Sequence, residues 1–356
     1  MNRKNNQYQL IDIFSGIGCA SLGFSKAGFQ LAAALEIDPR RCKIYEKNLK
    51  LKPITRDVMK ITGKELLSKA GLCKGSKFCV VGCPPCQSFS KLSETSGINA
   101  LKDPRSKYVK KFAQLIIEMK PYAVIFENVP WLLKGPGRPY FDYYVKKLKK
   151  SGYQTFFNTI DAADFGVPQH RNRVVAISFR SRLVDDVLED EIIKFYKTKK
   201  RKQKTVRDAI GDLKPLRVGQ TDSKDPLHSA SNHATSVLEM IKHVPKNGGS
   251  RTDLPKRLWL ECHKKIKHGA DSVYGRMRWD EPSPTMTCRC TTPACGRFTH
   301  PTQNRGITIR EAAQLQTIPK SFKINEGKHV TAEMIGDAVP CLLARKIAEK
   351  LLEVLP

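Results

Sequence analysis

The sequence predicts an α/β fold built on a doubly wound, mostly parallel sheet. Short apolar runs of strand length alternate with segments of helical periodicity along residues 9–180. Four of these runs end at or beside residues that can carry chemistry, namely Phe14, Glu36, Cys86 and Glu127. Ligands of such sheets bind at the carboxyl ends of the strands. We therefore expect the four residues to line one edge of the sheet and to form a site there.

The composition is that of a globular chain long enough for two domains. Of its 356 residues, 40% are hydrophobic and 27% are charged. No apolar run approaches the ~18 residues that cross a membrane, and the polar N-terminus lacks a signal-peptide pattern. Eleven cysteines without framework spacing agree with free thiols. These features predict a cytoplasmic protein with no membrane partner.

The charge balance points to a polyanion. Sixty-three Lys and Arg residues against 34 Asp and Glu residues give a net charge of +29, a footprint typical of nucleic-acid binding. A solubilising surface is the alternative reading. The densest basic run, residues 197–204, is a solvated loop, a nucleic-acid contact or a linker.

The first 38 residues have the pattern of a nucleotide-binding βαβ unit. An apolar strand ending at Phe14 is followed by the turn 15–18, a helix, and a second strand that ends at Glu36. Gly16 and Gly18 let the backbone turn tightly beside a ligand, and Glu36 can accept hydrogen bonds from ribose hydroxyls. The third glycine of the dinucleotide fingerprint is missing, which disfavours a dehydrogenase.

The segment around Cys86 predicts a nucleophile on a loop. The apolar run 77–81 ends at Gly82, and Pro84 and Pro85 then prevent a regular ladder, so the chain leaves the sheet just before Cys86. A thiolate there is a strong nucleophile. Cys83 and Cys86 also form a C-x-x-C, which allows a redox pair, half a zinc site or ordinary buried cysteines.

Two further groups of residues have open interpretations. Arg171 and Arg173 share one side if they begin the strand predicted at 174–179, although surface arginines are the alternative. A second group contains cysteines and one histidine whose spacing does not match paired zinc ribbons, so we expect no metal. Its members are Cys262, His263, Cys288, Cys290 and Cys295.

Taken together, the motifs resemble those of the DNA cytosine-5 methyltransferases, in the same order and nearly end to end. The six matching segments are Asp12–Gly18, Pro84–Gln87, Glu127–Val129, Gln169–Arg173, Arg310–Ala313 and Gly336–Pro340. Two positions depart from the pattern. Cys19 stands where a second consecutive glycine is usual, and Asp337 stands where asparagine is usual, which leaves its contact with the cofactor's methionine end open.

The resemblance implies a class I S-adenosylmethionine-dependent methyltransferase fold with a smaller target-recognition domain. The catalytic and cofactor-binding domain is expected at residues 1–180, completed by about 328–356. The target-recognition domain is expected at 181–305 and a hinge segment at 306–327. Double-stranded DNA would lie in a basic cleft, and we expect a monomer, associated with the nucleoid if the protein is bacterial.

The resemblance also implies roles for individual residues. Cys86 would attack carbon 6 of a flipped-out cytosine, Glu127 would act at ring nitrogen 3, and Arg173 would hold the carbonyl oxygen while Arg171 supports the nucleophile loop. Phe14 would pack on adenine, Glu36 would bind the ribose, Asp57 would bind the exocyclic amine, and Pro85 would shape the pocket. The cofactor-binding residues implied are Phe14, Ser15, Gly16, Gly18, Glu36, Ile37, Asp57, Val58, Pro85 and Asp337.

Three functional alternatives follow from the same motifs. The methyltransferase could modify DNA within a restriction–modification system or as an orphan enzyme. A tRNA cytosine-5 methyltransferase has the same fold, but the long stretch between Arg173 and Arg310 leaves room for a DNA-reading domain. A catalytically silent DNA-binding homologue is disfavoured by the intact Cys86, Glu127 and both arginines.

Overall fold

The computed structural model describes residues 8–73, 75–85, 107–135, 137–199, 202–265 and 269–356, and Cys86 lies outside them. The strands are β1 Gln9–Ile13, β2 Gln30–Glu36, β3 Ile54–Thr55, β4 Phe78–Gly82, β5 Ala123–Asn128, β6 Tyr153–Asp161, β7 Asn172–Arg180, β8 Thr221–Asp222 and β9 Asp225–Ser229. The helices are α1 Cys19–Ala27, α2 Pro39–Leu49, α3 Gly63–Lys69, α4 Lys107–Met119, α5 Trp131–Lys134, α6 Arg138–Lys150, α7 Asp186–Tyr196, α8 Val206–Ile210, α9 Thr235–His243, α10 Glu261–Lys264, α11 Ile309–Leu315, α12 Lys328–Asp337 and α13 Cys341–Val354.

The first seven strands form one sheet in the order β3-β2-β1-β4-β5-β7-β6. Strands β1 to β5 pair in parallel, and β7 runs antiparallel to both of its neighbours. Every residue of β4 and β5 is buried, as expected for central strands covered by helices on both faces. The predicted doubly wound, mostly parallel sheet is therefore confirmed.

Aromatic packing fixes one face of the sheet. Phe112 of α4 stacks on Tyr144 of α6 with ring centroids 6.1 Å apart, and Phe126 of β5 lies 4.9 Å from the same Tyr144 ring. Gly82 ends β4 directly beneath this cluster, where an added Cβ would lie 2.3 Å from the Phe112 ring. The last position of β4 therefore requires glycine, and the segment that leads to Cys86 departs from a tightly packed point.

The C-terminal helix completes the first compact unit of the chain. This unit comprises Met1–Phe165, Asn172–Lys199 and Cys341–Pro356, and α13 packs against α1 within it. The helices approach closely because Gly23 has no side chain, and a Cβ there would lie 2.5 Å from the Cys341 carbonyl oxygen.

The second compact unit comprises Gly166–Arg171 and Lys200–Pro340. Its bounds differ from those of the expected domains, since residues 181–199 belong to the first unit and 328–340 to the second. The unit boundary at Lys199–Lys200 falls inside the basic run 197–204. The assignment of a target-recognition domain and a hinge stays a prediction.

Hydrogen-bonded arginines hold the second unit together. Arg276 is fully buried, and each of its side-chain nitrogens donates to an acceptor in this unit. The acceptors are the carbonyl oxygens of Ile241, Val244, His300 and Gln303 and the side-chain oxygen of Asn304. Such a core needs few periodic apolar residues, which explains why the sequence pattern is weak here.

A second arginine gives the motif at residues 310–313 a structural meaning. The Arg305 guanidinium donates two hydrogen bonds to the Glu311 carboxylate, at 2.7 and 2.8 Å, and both side chains are 1% exposed. Glu311 also closes a capping box with Thr308 at the start of α11. The adjacent Arg310 pairs with Asp225 of β9. These motif residues therefore stabilise the second unit.

Neither a membrane-spanning helix nor a metal centre is found among the described residues. No helix in these ranges has the length and apolar character needed to cross a membrane. No cluster of three His, Cys, Asp or Glu side chains in the same residues could hold a metal ion.

Candidate functional site

The turn after β1 is shaped by its glycines. Phe14 has φ 65° and Gly18 has φ 91°, both in the left-handed region. The N–H groups of Phe14 and Ser15 donate to the Leu35 carbonyl at 3.0 and 3.1 Å, which ties the turn to the end of β2. A Cβ at Gly18 would lie 2.5 Å from Leu49 Cδ1, so a side chain there would push α2 away. The turn is thus tight and tied to the sheet edge, and the role of its glycines beside a ligand stays a prediction.

Glu36 is fixed by backbone donors at the end of β2. Its Oε2 accepts from the Gly16 N–H at 2.8 Å, and its Oε1 accepts from the N–H groups of Ile37 and Asp38, both at 2.9 Å. The side chain is 8% exposed. Each carboxylate oxygen can accept more than one hydrogen bond, so a preoriented acceptor remains for the hydroxyls of a ligand.

Asp57 and Val58 follow β3 on the same side of the sheet. The Asp57 carboxylate accepts from the Met59 N–H at 2.9 Å and caps a short 3₁₀ turn that begins at Val58, which is buried. Because β1, β2, β3 and β4 are parallel neighbours, the residues that follow them lie along one edge. The structure therefore brings Phe14, Glu36, Asp57 and Pro85 to a common edge of the first unit.

Two further side chains at this edge are relevant to ligand binding. Ile37, directly after β2, is 61% exposed, so its apolar surface is open to contact. Ser15 Oγ is buried and has no hydrogen-bond partner among the described residues. A buried hydroxyl without a partner costs free energy, so a polar ligand group would complete it. Sequence reasoning missed Tyr108, whose ring meets Phe14 edge-on at 6.0 Å.

The approach to Cys86 is anchored although Cys86 itself lies outside the described residues. The Asn128 side chain at the end of β5 donates to the Pro84 carbonyl at 3.2 Å, and both groups are buried. Asn128 follows Glu127 in the chain. The hydrogen bond therefore links the two predicted catalytic segments at the start of the nucleophile loop.

Glu127 and Arg173 form the ionic centre of the first unit. Glu127 is opposite Val175 in the antiparallel β5–β7 pair, so Arg173 is its diagonal neighbour on the same face. Arg173 Nε lies 3.0 Å from Glu127 Oε1, with side chains 13% and 11% exposed. The contact is an ion pair that lacks hydrogen-bond geometry. Glu127 Oε1 is buried and accepts no hydrogen bond from the described residues. Glu127 Oε1 is thus in ionic contact with Arg173 while its hydrogen-bonding capacity is unused among the described residues.

Arg171 does not begin β7 with Arg173. The strand starts at Asn172, and Arg171 belongs to the second unit. Its guanidinium is buried and donates to the carbonyls of Met286 and Gly336, both at 3.1 Å. The condition for the two arginines to share a strand side is therefore not met.

The Asp337 position also lies in the second unit. The Cys288 thiol donates to Asp337 Oδ1 at 3.2 Å, and burial together with this carboxylate raises the pKa of Cys288 to about 12. Asp337 itself is exposed at the end of α12. Cys288 therefore acts as a hydrogen-bond donor to Asp337, a contact that the sequence did not reveal.

A buried polar network beneath the glycine turn was also missed. Tyr45 of α2 donates to Ser21 Oγ at 2.8 Å, and Ser21 of α1 donates to Asp12 Oδ2 of β1 at 2.5 Å. Asp12 is 3% exposed, and burial raises its pKa from 3.8 to about 7, with a further contribution from the nearby Glu36 carboxylate. The network joins three elements that surround the turn. A sequence signal existed, since Asp12 is an acid inside an apolar strand.

Replacing Asp12 with Asn should change how stability depends on pH. A raised pKa means that the folded state binds the proton more tightly, so this stabilisation is present below pH 4 and is lost as pH rises towards 7. The free energy of unfolding of the wild type relative to Asp12→Asn should fall by at most about 4 kcal/mol over that range. Urea unfolding at pH 4, 6 and 8 measures the difference. Asp142→Asn, at an exposed carboxylate, is the matched control, and parallel curves for Asp12→Asn and wild type would contradict the assignment.

Comparisons with known proteins agree over nearly the whole chain. A family model described as C-5 cytosine-specific DNA methylase matches residues 8–353. The Type II methylase M.HgiDII of Herpetosiphon aurantiacus is 33% identical over 348 residues, covering 96% of this chain and 94% of that protein. The Type II methyltransferase M1.HphI of Haemophilus parahaemolyticus is 33% identical over 345 residues, covering 97% and 86%.

A solved structure shows the same fold. It is an E. coli protein encoded within a prophage and described as a DNA modification methyltransferase, with TM-score 0.75, 22% identity, and coverage of 98% of this chain and 99% of that one. At 22% sequence identity, this structural similarity establishes the fold alone. The expected class I methyltransferase fold is confirmed.

Proposed function

Because the chain belongs to the C-5 cytosine-specific DNA methylase family, we propose that it methylates carbon 5 of a cytosine flipped out of a specific duplex DNA sequence, through a covalent adduct with Cys86. The observation that carries the proposal is the Glu127–Arg173 pair, whose carboxylate oxygen Oε1 is buried and accepts no hydrogen bond from the described residues. A cytosine ring presents complementary groups, since nitrogen 3 and the carbonyl oxygen are adjacent.

The chemistry requires an activated ring. Carbon 5 of cytosine is a weak nucleophile, and attack of the Cys86 thiolate on carbon 6 forms a sulfur–carbon bond while the ring electrons move towards carbon 5. Glu127 holds a proton at nitrogen 3, and Arg173 donates to the carbonyl oxygen, so both oppose the charge that attack places on the ring. After methylation, loss of the carbon 5 proton expels the thiolate and restores the double bond.

S-adenosylmethionine, when bound, supplies the methyl group. Glu36 would accept from its ribose hydroxyls, because three backbone donors already orient that carboxylate. Ile37 and Phe14 would hold the adenine ring, and Asp57 with Val58 would meet its polar edge. Ser15, Gly16 and Gly18 would line the amino-acid tail, where the unpaired Ser15 hydroxyl fits a carboxylate.

Three further residues act on the shape of the site. Pro85 would separate the cofactor from the cytosine. Arg171 would position rather than react, since its guanidinium donates to two backbone carbonyls. Asp337 would meet the methionine end of the cofactor, and its carboxylate accepts a hydrogen bond from the Cys288 thiol.

The description of the family favours DNA over tRNA as the substrate, because it names a DNA methylase. The two curated relatives are Type II methylases, so we infer that this chain is the modification enzyme of a restriction–modification system or an orphan enzyme derived from one. We propose that it acts as a monomer in the cytoplasm and that residues 181–305 contain the target-recognition function.

Purified protein tests the function directly. Incubation with tritiated S-adenosylmethionine and either plasmid DNA or total tRNA should label the plasmid alone, and bisulfite sequencing of that plasmid should show methylation at one recurring sequence. Label in tRNA alone would support a tRNA cytosine-5 methyltransferase instead. Absence of label in both, with intact DNA binding, would establish a silent DNA-binding protein.

A further inference from the structure

One face of the first unit carries lysines that form no ion pair with any carboxylate of the described residues. We define the lysine face as Lys107, Lys110 and Lys111 of α4 with Lys147 of α6, together with the rings of Tyr140 and Tyr143 between them. None of these lysines pairs with a carboxylate among the described residues. The acids of the two helices are already engaged, because Asp142 pairs with Arg138 at 2.7 Å and Glu118 accepts from the Gly63 N–H.

The tyrosine rings gather the ammonium groups. Lys110 Nζ lies 5.5 Å from the ring centroids of both Tyr140 and Tyr143, and Lys147 Nζ lies 5.5 Å from the Tyr143 centroid. Each contact is a cation–π interaction. Two cations held against one ring repel each other within about a Debye length. A bound polyanion would relieve that repulsion, so the arrangement favours the binding of a polyanion.

The position and chemistry of the face identify the polyanion. The helix α4 begins after the segment that contains Cys86, and Tyr108 in its first turn contacts Phe14 of the cofactor turn. The face therefore starts beside the cofactor turn, on the edge of the sheet that carries the candidate site. Its half-buried rings are engaged by lysines, so they are poorly placed to stack unpaired bases, while ammonium groups suit phosphates.

We propose that the lysine face binds the phosphate backbone of duplex DNA beyond the target base. The inference rests on the proposed function and adds a phosphate-binding surface in the first unit to it. Phosphate contacts position a protein on DNA without reading its sequence. The face would thus contribute affinity and register for every target, while recognition of the sequence is left to other residues.

The experiment neutralises three lysines of the face and compares them with three lysines elsewhere. The test variant is Lys110→Gln, Lys111→Gln and Lys147→Gln. The matched control is Lys26→Gln, Lys47→Gln and Lys69→Gln, which removes the same charge from exposed positions on α1, α2 and α3. Binding of a labelled random-sequence duplex of about 30 base pairs is measured by fluorescence anisotropy across a salt series.

The slope of log affinity against log salt should become less steep in the test variant. The expected change is about 0.9 for each phosphate that the protein no longer neutralises, and so up to about 2.7 for three lysines. The control should keep the wild-type slope. Lys110→Arg, Lys111→Arg and Lys147→Arg should restore it, because arginine returns the positive charge. Methyl transfer to plasmid should be unchanged in the control variant, and thermal unfolding should show that the test variant folds like the wild type.

Equal slopes for the test variant and the control would overturn the inference. A weakening confined to a single-stranded 30-mer would overturn it as well, because the face would then bind unpaired bases. Failure of the proposed function is separable from both results. It would appear as wild-type protein that labels no plasmid, whereas failure of the inference alone leaves wild-type labelling intact.

Discussion

Duplex DNA prepared with 5-fluorodeoxycytidine in place of deoxycytidine should trap the protein covalently when S-adenosylmethionine is present. After methylation the adduct still holds Cys86 on carbon 6, and release requires loss of the hydrogen on carbon 5. Fluorine cannot be removed from carbon 5 as a cation in the way that hydrogen is. Methylation therefore proceeds, but elimination of the Cys86 thiolate stops. The expected product is a protein–DNA species that survives denaturing electrophoresis and maps by mass spectrometry to the peptide containing Cys86.

The two cysteines of the C-x-x-C provide matched controls. Cys86→Ser should give no trapped species, because a hydroxyl is far less acidic than a thiol and supplies little nucleophile. Cys83→Ser should trap like the wild type, since Cys83 precedes Pro84 and Pro85 and has no assigned role. Trapping through Cys83, or loss of trapping in both variants, would support the redox interpretation instead.

The sheet edge could be anticipated from sequence because its signals are local. A short apolar run predicts each strand, and the carboxyl ends of parallel strands lie at the same edge of the sheet. Phe14 and Glu36 accordingly lie at the ends of the neighbouring strands β1 and β2, whereas the role of Asp57 was implied only by the family resemblance. What the sequence could not supply is how the edge is held, since the Glu36 carboxylate is oriented by N–H groups of the backbone, including that of Gly16.

The second unit was harder to anticipate because its order depends on long-range polar contacts. Arg276 binds acceptors as far as 35 residues away along the chain, and no periodic pattern marks such a partner. The same reason explains Arg171. Its alternation with Arg173 looked like a strand, but its partners are Met286 and Gly336, 115 and 165 residues further along.

Replacing Glu127 with Gln should lower the methyl-transfer rate by about 10²- to 10⁴-fold, the usual contribution of a positioned acid or base. Gln keeps the shape of the side chain but cannot carry a proton to ring nitrogen 3. It also leaves Arg173 without its ionic partner at 3.0 Å. Single-turnover kinetics with plasmid DNA measure the rate, and calorimetry should show S-adenosylmethionine affinity near that of the wild type.

Glu36→Ala removes the carboxylate at the other end of the site and serves as the comparison variant. It should weaken the binding of S-adenosylmethionine. Loss of hydrogen bonds to a charged acceptor costs about 1.5–3 kcal/mol, which is about a 10- to 150-fold weaker affinity for S-adenosylmethionine. The turn also loses the anchor of the Gly16 N–H, which acts in the same direction. At saturating cofactor the rate should recover towards the wild type, as it should not for Glu127→Gln. If calorimetry and kinetics give the reverse pattern, the division of the edge into a cofactor end at Glu36 and a base end at Glu127 is wrong.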